Sequence, residues 1–361
     1  MSVRKQNPVF TSGASVLLAA LTVMLMLTGC KKEDEPTAPQ VQNGWVSQQS
    51  GTNERLFCAH FADANTGTVI GDDGTILCTT DGGATWTPRV CPYAEYGVML
   101  TGVAFADGNN ATITGEVTLL MLRTTDGGVS WFPQNTGLDF THSPQLRDVT
   151  YPDANIGIAV VFDPWTAPMI LRTTNGGADW RKHYLPVEPW KGFYAVSFPT
   201  TDIGYIVGSE GFILRTDNGG VTWSTQNSGV TEEIHHVSFA DANTGIAIGY
   251  GSEAVGDTAE HRYRKWSIIL RTTDGGSVWT KLLTIPDMAL SAVCVTDADN
   301  ATIVGERGTI LRTTDGGTTW VNQISGTMEN LHDVYFSDSN TGTAIGDNGV
   351  ILRTTNGGFS K

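Results

Sequence analysis

Short segments in which apolar and polar residues alternate, separated by turn sequences, repeat through most of the chain. In the last complete unit, residues 331–336 and 342–346 have the alternation of half-buried strands, and 347–349 are a hairpin turn before a third strand at 350–355. A fourth strand is expected at the tryptophan of each unit, as at 319–323. No helical periodicity interrupts this region, so the pattern predicts an all-β protein.

One turn motif marks each unit. The pattern Ile-Leu-Arg-Thr-Thr-Asp-Gly-Gly-x-x-Trp recurs at spacings of 41 to 56 residues, a period typical of propeller blades rather than helical solenoids. The Asp/Asn-Gly-Gly turns begin at Asp81, Asp126, Asn175, Asn218, Asp274, Asp315 and Asn356. The matching tryptophans are Trp45, Trp86, Trp131, Trp180, Trp223, Trp279 and Trp320.

This motif has a structural logic. We expect the Asp or Asn side chain to accept hydrogen bonds from backbone N–H groups two residues on, the glycines to supply left-handed backbone angles, and the tryptophan to pack over the turn. The turn resembles the Asp-box of sialidases and sortilin-type receptors. At three of the seven box positions Asn stands in place of Asp, an exchange that keeps the turn but removes the charge. The residues at this position are therefore interpreted as structural, not catalytic or metal-binding.

The two ends of the repeat region complement each other. The last unit stops at residue 361 without a tryptophan strand, whereas residues 44–51 match the tryptophan strand at 319–326 and have no box before them. If the first strand completes the last sheet, the ring closes without an exposed strand edge. The prediction is a seven-bladed β-propeller of four-stranded antiparallel blades over residues 44–361.

The N-terminus has the features of an export signal. Two basic residues precede an apolar run at 14–28, which is too short for a comfortable membrane span and has the length of a signal-peptide core. The run ends in Leu-Thr-Gly-Cys, which resembles the lipobox of bacterial lipoproteins, with Cys30 as the acylated residue. We therefore expect a signal peptide at 1–29, a lipidated cysteine with a flexible tether at 30–43, and attachment to the cell envelope, at the outer membrane and with possible surface exposure.

Charge and cysteine content exclude some classes of partner. The formal net charge is −15, and no basic stripe is available to bind phosphates, so a nucleic-acid partner is not expected. Beyond Cys30, the cysteines Cys58, Cys78, Cys91 and Cys294 include no CxxC pair, so a zinc knuckle is not expected either. Export permits a disulfide among the first three, with the pairing open. We predict a monomeric propeller with no cofactor and no metal.

The long insertions share one face of the predicted ring. They lie in blade-to-blade links (88–100, 133–145 and 183–192) and in connections between second and third strands (162–168 and 250–267). We call this side the working face, since loops on a rigid scaffold often carry binding residues. Candidate binding aromatics in these insertions are Trp165, Trp190, Trp266, Tyr93, Tyr96, Phe140, Tyr250 and Tyr263. They suit peptide or sugar recognition, although they could equally cover the tops of their own blades.

The mouth of the central channel is a second candidate site. Alignment of the innermost strands places Arg147, Tyr194, His235 and His332 at one equivalent position, and Asp148, His236 and Asp333 at the next. These residues could take a charged group of a ligand, or they could be a channel lining without a function.

An arginine three residues before the box recurs in six units, at Arg123, Arg172, Arg215, Arg271, Arg312 and Arg353. Such a ring could hold an acidic partner, but the simpler interpretation is that each arginine braces its own blade.

The box repeat, followed by a Gly-x-Ala/Ile-Ile-Gly strand, resembles the photosystem II stability/assembly factor-like propellers. That resemblance implies a seven-bladed, non-enzymatic scaffold that holds a partner protein during assembly of a membrane complex, and it maps the family's arginine-rich partner surface onto the six repeat arginines. The expected function is therefore a lipid-anchored, protein- or peptide-binding scaffold. The alternative is a glycan-binding or sialidase-like glycoside-hydrolysing propeller, but no Arg-Ile-Pro motif occurs, and no sequence feature pairs the carboxylates Glu95, Asp139, Glu188 and Glu253.

Overall fold

A computed structural model describes residues 44–116, 120–138, 144–163, 167–187, 191–255 and 262–359. Its strands form seven four-stranded antiparallel sheets, each with the sequential order of a propeller blade. The innermost strands of successive blades are in contact all the way round, from the first blade to the last and back to the first. The predicted seven-bladed propeller is confirmed.

The first three blades contain twelve of the strands, numbered in chain order. Blade 1 comprises β2 (Leu56–Phe61), β3 (Gly67–Gly71), β4 (Ile76–Thr79) and β5 (Thr87–Pro88). Blade 2 comprises β6 (Leu100–Phe105), β7 (Ala111–Gly115), β8 (Met121–Thr124) and β9 (Phe132–Pro133). Blade 3 comprises β10 (Gln145–Thr150), β11 (Gly157–Phe162), β12 (Met169–Thr173) and β13 (Arg181–Tyr184).

The next three blades follow the same order. Blade 4 comprises β14 (Phe193–Ser197), β15 (Gly204–Gly208), β16 (Phe212–Thr216) and β17 (Ser224–Asn227). Blade 5 comprises β18 (Glu233–Phe239), β19 (Gly245–Val255), β20 (Arg262–Thr272) and β21 (Thr280–Pro286). Blade 6 comprises β22 (Leu290–Val295), β23 (Ala301–Gly305), β24 (Ile310–Thr313) and β25 (Val321–Asn322).

Blade 7 joins the two ends of the propeller. It comprises β26 (Leu331–Phe336), β27 (Gly342–Gly346), β28 (Ile351–Gly358) and, from the start of the domain, β1 (Gly44–Gln48). Strand β1 pairs antiparallel with β28, with Ser47 opposite Leu352. Trp45 is 2% exposed and packs edge-on against Phe336 at 5.8 Å between ring centroids. The predicted closure by the N-terminal strand is therefore confirmed.

The apolar core lies between neighbouring blades rather than inside single sheets. The second strand is buried along its whole length in five of the seven blades, as in β3 and β27, because both of its faces are covered by adjacent blades. Strands β11 and β19 are buried over their first five residues. Leu56, Phe61 and Val69 of blade 1 share one cluster with Ile345 and Ile351 of blade 7. Blades 7 and 1 therefore pack together through buried apolar side chains, as do blades that follow each other in the sequence.

The irregular elements are short. Within the described ranges there is no α-helix, and five 3-10 turns occur, at Asp72–Gly74, Ala94–Tyr96, Ser209–Gly211, Glu306–Gly308 and Asp347–Gly349. The described part of the chain contains no helix with the length and apolar character to cross a membrane. The predicted signal peptide, lipidated Cys30 and tether fall at residues 1–43, outside the described residues, and stay predictions.

One insertion differs from the expectation. The segment 250–267 was expected to be a loop, but it extends blade 5 as a β-hairpin in which β19 and β20 remain paired as far as Val255 and Arg262. Both faces of this extension carry polar residues, so its hydrophobic pattern does not identify it as strand.

Candidate functional site

The box turns are rigid hydrogen-bonded units. In blade 1, Asp81 Oδ1 accepts bonds from the Thr79 hydroxyl and from the backbone N–H of Thr85, both at 2.8 Å. The backbone donor is thus four residues on, not two as expected from an Asx-turn. Gly82 and Gly83 have φ of +68° and +88°, which require glycine. Hydrogen bonds from Thr85 lower the pKa of Asp81 to about 2, so this carboxylate serves the turn.

The box tryptophans are connected to the preceding blade by glutamines that sequence reasoning missed. Trp45 Nε1 donates to Gln323 Oε1 at 2.8 Å, while Gln323 Nε2 donates to the carbonyl of Gly357 at 2.8 Å. The bridging glutamines lie three residues after the tryptophan of their own blade: Gln48, Gln134, Gln226 and Gln323. That recurrence is visible in the sequence and could have been used to find them.

The glutamine is absent at the other three junctions. Arg89, His183 and Leu282 stand at the equivalent position. Among the described residues, Trp131 Nε1 and Trp320 Nε1 then have no hydrogen-bond partner, and Trp223 donates to the Gly220 carbonyl of its own turn. The glutamine bridge is therefore not required for two neighbouring blades to pack together.

Exchanging residues at this position should change stability in opposite directions. We expect Gln226→Leu to cost about 1–3 kcal/mol, because it leaves Trp279 Nε1 and the Gly275 carbonyl unpaired. Leu282→Gln should gain about 0.5–1.5 kcal/mol by giving Trp320 Nε1 an acceptor. Urea unfolding of both variants measures this. Equal changes in the free energy of unfolding for the two variants would show that the glutamine amide does not determine stability at this position.

The repeat arginines do more than brace their own blades. Arg312 is 1% exposed; it donates to Thr302 Oγ1 of its own blade at 2.7 Å and to the Ser339 carbonyl of blade 7 at 2.8 Å. Arg353 and Arg172 likewise reach carbonyls of the following blade, Ala64 and Gly219. These arginines therefore tie neighbouring blades together, whereas Arg123 bonds Asn110 of its own blade.

The channel mouth is built on a β-bulge that recurs in every innermost strand. In each blade the pairing with the second strand shifts by one residue, so one residue of the innermost strand is left unpaired. The unpaired bulge residues are Phe57, Thr101, Arg147, Tyr194, His235, Ser291 and His332. The structure thus places the four aligned mouth residues of the sequence analysis at one equivalent position, with Asp148, His236 and Asp333 immediately after.

Two groups of aromatic and charged side chains form at this mouth. At the junction of blades 3 and 4, the Phe162 ring stacks on the Tyr194 ring with 6.4 Å between centroids. The Arg147 guanidinium lies 5.4 Å from the centroid of the Phe162 ring. Arg147 also pairs with Glu116. At the junction of blades 7 and 1, the ring centroids of His332 and Phe57 lie 5.1 Å apart. His332 Nε2 also forms a hydrogen bond of 2.6 Å with Asp347 Oδ1. The mouth therefore offers flat rings with adjacent charges.

The carboxylates of the next position connect blades. Asp148 accepts backbone N–H bonds from Val149 of its own strand and Val196 of blade 4, at 2.8 and 2.9 Å. Asp333 accepts equivalent bonds from Val334 and from Ala59 of blade 1, both at 2.8 Å. Burial raises the pKa of Asp148 to about 7 and that of Asp333 to about 6, against the lowering effect of these donors.

Three histidines of the innermost strands have lowered pKa values. Burial lowers the pKa of His60, His235 and His236 to about 4 each. His236 Nδ1 accepts the Val293 N–H of the next blade, and His235 Nε2 bonds the Leu290 carbonyl at 2.9 Å. His235 and His236 therefore continue the interblade bonding pattern of the two aspartates, whereas His60 Nδ1 has no hydrogen-bond partner among the described residues.

The predicted aromatics of the working face differ in accessibility. Tyr96 and Tyr263 are 66% and 58% exposed, whereas Tyr93 and Tyr250 are half-buried. Trp266 is half-buried over Gly251, and its Nε1 donates to Glu232 Oε1 at 3.2 Å, so part of this ring covers its own hairpin. The remaining predicted aromatics lie outside the described residues: Phe140, Trp165 and Trp190.

The described cysteines and acids form no metal site. Within the described ranges, no group of three or more His, Cys, Asp or Glu side chains is placed to hold a metal ion. Cys58, Cys78, Cys91 and Cys294 are free thiols, and burial raises the pKa of each. The disulfide that export would permit does not form in this structure.

Comparison with known sequences identifies the family. The family model described as "Photosynthesis system II assembly factor YCF48" matches residues 37–137, 172–329 and 287–355. The chain belongs to this family. It is 24% identical to the photosystem II stability/assembly factor HCF136 of Arabidopsis thaliana over 68% of this chain and 72% of that protein. It is 27% identical to the photosystem II assembly lipoprotein Ycf48 of Picosynechococcus over 62% of each.

Solved structures show the same propeller. A structure of YCF48 bound to a D1 peptide superposes with a TM-score of 0.67 at 23% identity, over 87% of this chain and 97% of that one. The xyloglucanase of Xanthomonas campestris gives a TM-score of 0.64 at 13% identity, over 87% of this chain and 53% of the enzyme. At these identities the likeness concerns the fold alone.

Proposed function

We propose that this protein is a non-catalytic assembly scaffold that holds a peptide or protein partner on its working face while attached to the bacterial envelope by a lipid. The observation that carries the proposal is membership of the YCF48 family. A solved structure holds YCF48 bound to a D1 peptide, so a propeller of this type can hold a segment of another protein.

The geometry of the working face supports a peptide as the bound element. Exposed Tyr96 and Tyr263 stand on the insertions, and the rings of Phe57, Phe162 and Tyr194 line the mouth beside charged groups. Aromatic side chains surrounded by polar ones are the common anchors of protein interfaces. The insertions and the mouth are therefore the surfaces that we propose for recognition of the peptide.

A crosslinking experiment tests the face directly. A photoreactive amino acid at position 96 or 263 should capture a specific envelope protein in the native host, whereas the same group at position 132 should not. Phe132 is a matched control because it is 58% exposed but lies on the outermost strand of blade 2, opposite its repeat arginine. Capture of the same protein at all three positions, or at 132 alone, would contradict the proposal.

The glycan alternative has a separate test. A set of chromogenic glycosides should give no turnover, and glycan binding should be absent. Hydrolysis that is lost on Glu95→Gln or Glu253→Gln would instead assign a glycosidase. Glu253 is bonded to Arg264 across the hairpin at 3.3 Å and is exposed, so its exchange should leave the ring intact.

Lipid attachment predicts a clear fractionation result. The parent protein should partition into detergent and carry a lipid visible by mass spectrometry, while Cys30→Ala should be released from membranes or remain unprocessed. Cys294→Ala is the control for loss of a thiol. The relatives named Ycf48 are described as lipoproteins, which supports this part of the proposal. Unchanged anchoring of Cys30→Ala would refute it.

A further inference from the structure

One strand pair in blade 3 places two arginines directly opposite each other. Arg172 of β12 is paired with Arg181 of β13. Side chains of such cross-strand neighbours lie about 5 Å apart at Cβ, and like charges at this spacing are destabilising. In the other blades, the residue at the position of Arg181 is uncharged: Thr87, Phe132, Ser224, Thr280, Val321 and Val46. Blade 3 alone departs from the repeat in this way.

The same two arginines line an open pocket of about 360 Å³ with further cationic or polar groups. Its other walls are Lys182, His183, Thr174, Asn175 and Asp179. Arg172 Nε donates to the Gly219 carbonyl of blade 4 at 2.8 Å, which fixes the guanidinium in the pocket. Arg181 and Lys182 are exposed. The pocket lies beside the box turn of blade 3 and includes only His183, the first residue, from the working-face insertion at 183–192.

The positive charge of this pocket exceeds the negative charge of its described lining. Asp179 is the one carboxylate in the lining, and its Oδ2 accepts a bond from the Asn175 amide at 2.9 Å. Among the described residues, no carboxylate lies within ion-pair distance of Arg172, Arg181 or Lys182. In a chain of net charge −15, such a cluster is a local exception that ordinary packing does not explain.

We infer that this pocket, bounded by Arg172, Arg181, Lys182 and His183, binds a dianionic oxyanion group of the phosphate type. Two guanidinium groups supply paired donors that match tetrahedral oxyanions, and the ammonium adds a further charge. Bound anion would also relieve the repulsion between the paired arginines. The group can be free phosphate or a phosphate monoester on a larger molecule, since the pocket is open to solvent.

The experiment compares thermal unfolding in phosphate and chloride at matched ionic strength and pH 7.5. Inorganic phosphate should raise the Tm of the parent protein by several degrees beyond chloride, and acetate should not. Arg181→Thr, which places in blade 3 the residue type of blades 1 and 5, should lose most of this shift. In chloride the variant should melt at the same temperature as the parent or higher, because it removes a like-charge contact.

Controls separate a site from general charge effects. Arg264→Ala removes an exposed cation from the blade 5 hairpin and should retain the full phosphate shift. Glycerol 1-phosphate as a second probe identifies the source: a shift equal to that of phosphate shows that the pocket accepts a monoester, and a shift with phosphate alone limits it to the free ion. An equal response to phosphate and chloride, or an unchanged response in Arg181→Thr, would overturn the inference.

Discussion

Deleting residues 44–50 lowers the stability of the whole propeller, by roughly 5 kcal/mol or more, because strand pairing and the burial of Trp45 are lost together. Strand β1 supplies the fourth strand of blade 7, and its removal exposes the edge of β28. It also leaves Gln323 without its indole partner. Thermal or urea unfolding of the truncated protein measures the loss.

Smaller changes at the same strand separate its contributions. Trp45→Ala alone should cost about 3–5 kcal/mol, whereas Val46→Ala, at a side chain 63% exposed, should have little effect. A synthetic peptide of residues 44–50 should bind the truncated ring and raise its Tm, and the same peptide with alanine for Trp45 should not. A truncated protein that unfolds like the parent would disprove closure by this strand.

Asp148→Asn should become progressively more stable than the parent as the pH rises from about 4 to about 7. The pKa of Asp148 is about 7 in the folded ring and near its ordinary value of 3.8 in the unfolded chain. In that window the folded parent retains a proton that the unfolded chain has lost, so its stability falls with rising pH. The difference between the two proteins should grow by at most about 4 kcal/mol, less where channel water solvates the carboxylate.

The histidines His60, His235 and His236 give the opposite slope. Their pKa values are about 4 in the folded ring against an ordinary 6.5, so acidification from pH 6.5 to 4 favours the unfolded chain, which binds more protons. Because these three groups oppose the two carboxyl groups, the parent itself should lose stability on acidification below about pH 6, and the difference between Asp148→Asn and the parent isolates the carboxyl group. Urea unfolding of both proteins from pH 4.5 to 8 checks this. A stability difference between Asp148→Asn and the parent that does not vary with pH would show that burial does not perturb this carboxyl group.

The repeat made most of the architecture predictable from sequence. The expected strands at 331–336 and 342–346 coincide with β26 and β27, and the tryptophan strand at 44–51 contains β1. The alternation of apolar and polar residues and the turn residues specify these elements locally, and every unit repeats both. Closure was predictable because the missing strand at one end has a recognisable copy at the other.

Features that depend on neighbouring blades were harder to predict. His332 and Asp333 form a run of two polar residues, but the sequence does not show that a bulge leaves His332 unpaired or that Asp333 bonds Ala59 of blade 1. The hairpin of β19 and β20 is polar on both faces, so alternation gives no signal there. The opposition of Arg172 and Arg181 requires the register of β12 against β13, which the pattern does not specify.

The distribution of the bridging glutamines divides the ring into unequal parts. Bridges run from blade 2 to 3, from 4 to 5, from 6 to 7 and from 7 to 1, and none of the described contacts of this kind crosses from 1 to 2, 3 to 4 or 5 to 6. Counted by this bridge alone, the molecule is a triplet (6, 7, 1) and two doublets, and at the junctions without it other bonds connect the blades, such as Val196 to Asp148 between blades 3 and 4. The blade assembled from both chain ends is therefore the one blade with a glutamine bridge on each side.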